Sequence, residues 1–313
     1  MKEETVFHKK KFYKQLCVII LVLLILFLWL GHLFDLDDRA HVFWMNWTTS
    51  QRAKDNSVWI SSYKAEIQAK PIPGVKKNVS GITYDYDNNT LWIVTNEPQE
   101  LIELSLDIKP LRRITLKNFS DTEAVAYIGN GTFVIADERD MSIVLAPISP
   151  ETTTLDRDLL RFITMNSGGT ANNGLEGVAY DPNSKTIYAV QERKPLKLLA
   201  VSGFAEGKKG VSIGVPDFID IDEYHLDDLS GLHFDLETGH LLLLSDEAKL
   251  LVEVDNNGLA VSFLELESGF NGLKKDIPQA EGVTLDSQGN LYIVSEPNLL
   301  YKFQRYRSHS SVF

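Results

Sequence analysis

Three glutamates stand at one place in a sentence that the chain writes five times. Glu123, Glu176 and Glu281 each precede a small residue and then an apolar one. Ser80 and Ser230 hold that place in the other two copies, with Asp227 and Asp228 just ahead of Ser230. A second set of acids closes the copies: Glu97, Asp137, Glu138, Glu192, Asp246, Glu247 and Glu296. Carboxylates and hydroxyls are hard oxygen donors, which select calcium or magnesium over zinc or copper. Calcium takes roughly six to eight oxygens in a flexible shell and so suits ligands drawn from separate segments. Magnesium wants a tighter octahedron. So many acids cannot all stay ionised side by side, because like charges raise one another's pKa. Arg139, Arg193, solvent or a divalent cation would have to compensate. The candidate ligands are Glu123, Glu176 and Glu281, with Glu138, Glu192, Asp228 and Asp246 around them. The same pattern also fits structural hydrogen-bond anchors with a solvated rim, and spacing alone does not choose between the two.

The elements that must position these acids follow from the repeat. Its copies begin at 80, 123, 176, 230 and 281, a period of roughly 43 to 54 residues, the range of propeller blades and solenoid units. Each copy has a first apolar strand, a turn rich in Asp, Asn and Gly, and a second strand such as Leu91–Val94 or Leu291–Val294. A third strand follows the acidic end (Leu101–Leu104, Ile143–Ile148, Leu196–Val201, Leu250–Val254, Leu299–Phe303). A fourth precedes the next copy (Leu111–Leu116, Leu160–Met165, Phe218–Tyr224, Val261–Leu266). Four strands per copy describes an all-β, five-bladed β-propeller with four-stranded antiparallel blades, preceded by one N-terminal transmembrane helix. The fifth copy runs out of chain, and the strand Tyr63–Ala69 ahead of the first copy is expected to complete it and remove a bare edge. Ser202–Val215, Asn166–Gly174 and Ser268–Gln279 read as loops. In a propeller the first strand of each blade lines the channel and the second returns antiparallel to it. Both acid sets therefore gather at one mouth. The small residues after the ring position (Gly81, Ala124, Gly177, Gly231, Gly282) read as fold, letting strands approach at the axis.

Ahead of the propeller the chain changes character. Residues 1–14 are polar and basic, and Leu16–Phe34 is an almost unbroken apolar run, long enough to cross a bilayer as a helix. Asp35, Asp37 and Asp38 follow at once. Lysines before and aspartates after place the N-terminus in the cytoplasm and the rest outside. No small-residue cleavage pattern ends the run, so an uncleaved anchor is expected. The resulting organisation is a basic segment (1–14), an anchor (15–34), a tether (35–60), the propeller (61–305) and a tail (306–313). The expected arrangement is single-pass, with the propeller outside the cytoplasm and the membrane itself a partner through the helix. The net charge of −12 over 313 residues disfavours a nucleic-acid partner. The one cysteine, Cys17, excludes an intramolecular disulfide. There is no Gly-x-Ser-x-Gly, no phosphate-binding glycine loop and no His-Glu-x-x-His. His233, inside a first strand, could reach the channel as a base, although such a histidine is more often a satisfied core residue.

The stretches Asp121–Gly129 and Phe133–Asp140, Gly174-Leu175-Glu176-Gly177, Gln279-Ala280-Glu281-Gly282 and Val294–Asn298 resemble the bacterial SdiA-regulated (YjiK-like) family over about residues 63–305. That resemblance implies a five-bladed propeller, distantly NHL-repeat-like, with a calcium (Ca2+) site, a membrane anchor that would place it in the bacterial inner (plasma) membrane with the propeller in the periplasm, and no defined activity. It does not say which acids touch the ion. Two function classes follow. One is a binding or signalling module of the cell envelope that presents the propeller face to a small molecule or an envelope protein. The other is a calcium-dependent hydrolase, similar to lactonase and esterase propellers, with Glu123, Glu176 and Glu281 on the ion and Asp246 or Glu138 as base. Those enzymes commonly mix asparagine and aspartate among the ligands, a pattern not evident here.

Overall fold

The computed structural model describes residues 13–26, 44, 47–165, 174–193, 195–224 and 226–306. The chain divides between Gln51 and Arg52 into two compact units. In the first, residues 13–26 are helical and their apolar side chains, Val18 to Leu26 among them, are exposed. Among the described residues no helix is long and apolar enough to cross a membrane. The anchor expected at 15–34 lies only partly within them, since 27–34 fall outside. Most of the expected loop at 166–174 and of the tail at 306–313 also lies outside.

The second unit is a five-bladed propeller. Strand β1 (Tyr63–Pro71) comes first. Blade one is β2 (Val79–Asp85), β3 (Thr90–Thr95), β4 (Glu100–Leu104) and β5 (Pro110–Lys117). Blade two begins with β6 (Thr122–Gly129), β7 (Thr132–Asp137) and β8 (Ser142–Pro147). The chain then crosses to the edge of blade one as β9 (Thr154–Asp156), parallel to β5, before β10 (Arg161–Thr164) completes blade two. Blade three is β11 (Leu175–Asp181), β12 (Thr186–Gln191), β13 (Lys197–Ser202) and β14 (Ser212–Gly214). Blade four is β15 (Gly231–Phe234), β16 (Leu241–Ser245), β17 (Leu250–Val254) and β18 (Ala260–Glu265). Blade five is β19 (Ala280–Leu285), β20 (Leu291–Ser295) and β21 (Leu299–Arg305), closed by β1 antiparallel to β21, as expected from the missing outer strand.

One strand differs from expectation. Phe218–Tyr224 does not form the fourth strand of blade three; it ends in a 3-10 turn at Ile221–Tyr224. The Asp220 carboxylate accepts the Asp222 N–H at 3.1 Å, offering the backbone a local partner that competes with a ladder. Ile219, Ile221 and Tyr224 are thereby buried against blade four, where the Tyr224 hydroxyl donates to Gly258 O at 2.7 Å. The outer edge of blade three is instead β14, inside the stretch read as loop. Its three residues are all exposed, so no hydrophobic alternation marked it.

The turns follow the chemistry of their aspartates. Asp85, Asp181, Asp235 and Asp286 end or follow the inner strands of four blades, and each carboxylate accepts backbone N–H groups of its own turn. Copy two uses Gly129-Asn130-Gly131 instead, all at positive φ. The apolar core lies between blades rather than at one centre. Five buried clusters join blades one and two, two and three, three and four, four and five, and five and one. At the axis the blades nearly touch. A Cβ at Gly282 would lie 2.9 Å from Ile82 N and 3.0 Å from Gly81 Cα, so only glycine fits where these inner strands meet.

Candidate metal centre

The five ring residues share a backbone device that the sequence did not reveal. In β2, β6, β11 and β19 the ladder skips one residue, between Val79 and Gly81, Thr122 and Ala124, Leu175 and Gly177, and Ala280 and Gly282. The skipped residues are Ser80, Glu123, Glu176 and Glu281. In blade four Ser230 N donates to Leu244 O while Gly231 is the register partner of Leu244, so Ser230 also sits outside the regular ladder. A β-bulge leaves its extra residue unpaired and re-aims its side chain, and such bulges gather beside functional sites. Each inner strand thus turns one oxygen-bearing residue out of the blade at the same mouth.

That mouth holds a cavity of about 320 Å³. All seven acids selected from the sequence line it: Glu123, Glu138, Glu176, Glu192, Asp228, Asp246 and Glu281. They do not form an even ring. Carboxylate oxygens of Asp121, Glu123 and Glu138 lie within 4.8 Å of one another, and so do those of Glu138, Glu176 and Glu192. Glu138 belongs to both triads, which places the densest oxygen cluster between blades two and three. Glu281 faces the same cavity but is in neither triad. Asp228 is buried and already engaged, accepting from the Ser245 hydroxyl and from Asp246 N and Glu247 N. One oxygen of Asp246 accepts Lys249 Nζ at 2.5 Å and Ala280 N at 2.8 Å. Asp137, fully buried, accepts Ser120 N and Asp121 N and anchors the loop into β6. Glu97 is exposed and paired with Lys77 at 2.7 Å.

Two participants escaped the sequence reading. Asp121 joins the first triad, with Arg139 Nη2 at 3.3 Å from its carboxylate. Asn96 donates its amide to Glu123 Oε1 at 2.6 Å. Each had a signal of position: Asp121 precedes its bulge as Asp228 precedes Ser230, and Asn96 stands immediately before Glu97 at the end of a second strand.

The electrostatics match the crowding. Burial pushes the Glu123 carboxyl up to about 9, with Asp121, Glu138 and Glu281 adding repulsion and a Ser80 hydrogen bond opposing them. Burial also raises Glu176 well above the usual range, reinforced by Glu123, Glu138, Glu192 and Glu281. Glu281 rises to about 8 through burial and then Glu296 and Asp246. Glu138 rises through burial, Asp121 and Glu192, with Arg193 and Arg139 pulling down. Without a cation the cavity keeps protons that carboxylates normally lose.

The residues present fit a hard divalent ion. The donors are all oxygen, and the triad spacing spans what a flexible calcium shell accommodates. Ser230 Oγ, buried and lining the cavity, has no hydrogen-bond partner among the described residues. A buried hydroxyl of that kind calls for an explanation such as an ion or a water. The Glu138 side chain lies over Gly174, where any Cβ would overlap its Cγ. The backbone at 174 is therefore bare where Glu138 must lie.

His233 stands apart from this mouth. It lies further along β15 and lines a different cavity, with Nδ1 3.4 Å from Thr284 Oγ1.

A family model described as SdiA-regulated matches residues 55–304. The chain belongs to the SdiA-regulated family. Among solved structures it is similar to regucalcin, a calcium-binding protein of Agrobacterium tumefaciens strain C58, at 17% identity over 77% of this chain and 95% of that one, with a TM-score of 0.47. It is also similar to a nidogen/laminin complex (17% identity, 70% and 72% of the chains, TM-score 0.45) and to virginiamycin B lyase of Staphylococcus aureus (13%, 74% and 68%, TM-score 0.41). At these scores the likenesses carry no argument about chemistry.

Proposed function

We propose that this SdiA-regulated propeller is a membrane-anchored, extracytoplasmic module that holds a calcium ion at its acidic mouth and presents that face to a small molecule or envelope protein. One observation carries the calcium reading: Glu138 is common to two carboxylate triads at a mouth where the backbone turns its oxygen donors out on bulges. Asp121, Glu123, Glu138, Glu176 and Glu192 would hold the ion. A bound ion would supply the positive charge that lets these carboxylates ionise together. The chain's own part is to hold the oxygens in place through the bulges, the Asn96 amide and the bare backbone at Gly174. The anchor reading is supported by the apolar helix at 13–26, the lysines before it and the aspartates after 34.

The test is thermal. Full-length protein in detergent, stripped with chelator, is melted alone, with calcium and with magnesium. An ion that binds only the folded state stabilises it by mass action, about 2.7 kcal/mol at hundredfold excess over Kd. For a domain of this size that is an upward shift of roughly 5–10 °C. Magnesium should give much less. The absence of a calcium shift in stripped protein would remove the ion from the reading.

Topology has its own check. A reporter fused after Phe313 that is active only in the cytoplasm should be silent, whereas one that requires export should work. The reverse pattern would put the propeller inside.

A further inference from the structure

The channel has a second, different end. Each inner strand runs from its bulged residue to an aspartate turn or its equivalent, and a second cavity of about 340 Å³ opens there. The fourth residue after each bulge lines it: Tyr84, Tyr127, Tyr180 and Phe234 from blades one to four, and Leu285 from blade five. Ile82, Val125, Val178 and Leu232, buried two residues nearer the acidic mouth, form its deep end. Tyr86 joins the wall, edge-on to Tyr127 with ring centroids 4.9 Å apart.

The rings are held in place before anything binds. The Tyr84 hydroxyl is bonded to Asn89 Oδ1 at 2.7 Å and Ser287 Oγ at 2.9 Å. The Tyr127 hydroxyl donates to Asp87 Oδ2 at 2.5 Å and accepts Gly131 N at 3.0 Å.

The charge is one-sided. Glu237 is exposed at the rim of this cavity; Asp235 and Asp286 also line it, with their carboxylates held by their own turns, and among the described residues no lysine or arginine does. His233 is the one basic side chain in the lining, and burial lowers its pKa to about 4, so it is neutral at physiological pH. Aromatic rings present a negative face that attracts cations, most strongly where water is excluded.

We propose that this aromatic cavity binds an organic ammonium, a quaternary or tertiary amine whose alkyl groups lie among the tyrosine rings with the Glu237 carboxylate at the rim. An anion would meet Asp235, Glu237 and Asp286. A neutral apolar molecule would gain burial but forgo the attraction of rings and carboxylates. The proposal does not depend on calcium at the other mouth, from which the apolar deep end separates it.

The experiment is equilibrium dialysis of radiolabelled choline against the full chain in detergent. The competitor is 3,3-dimethylbutan-1-ol, which replaces the charged nitrogen with carbon. Choline should bind saturably at one site per chain, and the neutral isostere should compete at least about tenfold more weakly, the scale of a desolvated cation–π contact. Tyr180→Leu should weaken choline about tenfold while Tyr180→Phe, which keeps the ring, loses less than about threefold. If Tyr180→Leu does not fold, Tyr86→Leu, at an exposed ring of the same wall, should weaken choline while Tyr86→Phe does so less than about threefold. Saturating calcium should leave choline binding unchanged. Equal competition by the isostere, displacement by calcium (which would assign the amine to the acidic mouth), or no saturable binding below roughly 10 mM would each overturn the proposal.

Discussion

Replacing Glu253 by leucine will destabilise the propeller by about 3–5 kcal/mol, the largest effect expected of a single substitution here. Glu253 is fully buried in β17 and never approaches the acidic mouth. Its Oε1 accepts Val58 N at 2.7 Å and contacts His240 Nδ1 at 2.7 Å. Its Oε2 accepts Trp59 N at 2.9 Å and the Ser262 hydroxyl at 2.5 Å. Ser262 Oγ in turn accepts Ile60 N at 2.9 Å. One carboxylate therefore latches the chain as it enters the fold, just before β1 closes blade five. Trp59 is held at φ 53°, a left-handed conformation that only such surroundings sustain. Leucine fills the volume but leaves two buried N–H groups without acceptors, and each unsatisfied donor costs about 1–3 kcal/mol. Urea unfolding should show the loss, with Glu253→Gln intermediate because one acceptor oxygen remains. Removing residues 1–50 should leave stability unchanged, whereas removal through Ser62, which also takes away buried Val58, Trp59 and Ile60, should cost more than Glu253→Leu, and removal through residue 70 should expose the β21 edge and cause aggregation. Wild-type stability in Glu253→Leu would mean the latch contributes nothing.

The chelated protein will lose stability steadily as pH rises from about 4.5 to about 9, and calcium will reverse the trend. Glu123 and Glu281 have folded pKa values near 9 and 8 against an ordinary 4.5, and Glu176 is raised as well. Below 4.5 both the folded and unfolded forms of these groups are protonated. Between the two values the unfolded chain has released protons that the folded one keeps, so unfolding releases protons and is favoured by higher pH. Each such group contributes a slope of up to about 1.4 kcal/mol per pH unit. The loss levels off above the folded values. A bound cation favours the ionised form, so calcium stabilisation should grow through the same window. Glu176→Gln should flatten the chelated profile, because it relieves repulsion, and remove most of the calcium shift. Glu138→Gln, touching both triads, should do at least as much to the calcium shift. Glu281→Gln, outside both, should spare most of it. Melting curves from pH 5 to 9 in chelator and in calcium test all of this; a flat chelated profile, or equal calcium shifts in all four proteins, would contradict it.

Much of the fold was legible because repetition is a covalent property. Five copies of a small residue followed by an apolar strand, a turn and a second strand define blades, and the count of strands in the last copy demands that Tyr63–Ala69 close it, as the longer strand Tyr63–Pro71 does. The gathering of acids at one mouth followed from antiparallel topology alone. Phe218–Tyr224 departs from the expected strand because an apolar run records that residues are buried, not whether a ladder or a turn buries them; Asp220 decides it by bonding its own backbone. The short strand β14 carries no apolar face and so no pattern.

By itself the sequence determined which residue types face the acidic mouth, how many blades carry them and where the ring closes, since periodicity and connectivity are written along the chain. Only the tertiary structure decided how those acids divide. Asp228 and Asp246 accept backbone N–H groups, Glu97 turns out to Lys77, and Asp121, Glu123, Glu138, Glu176 and Glu192 cluster between blades two and three. Carboxylates at equivalent repeat positions are chemically identical in the sequence. What separates them is the neighbour across the blade boundary and the bulge beneath each one, and both are distances in space between residues far apart in the chain.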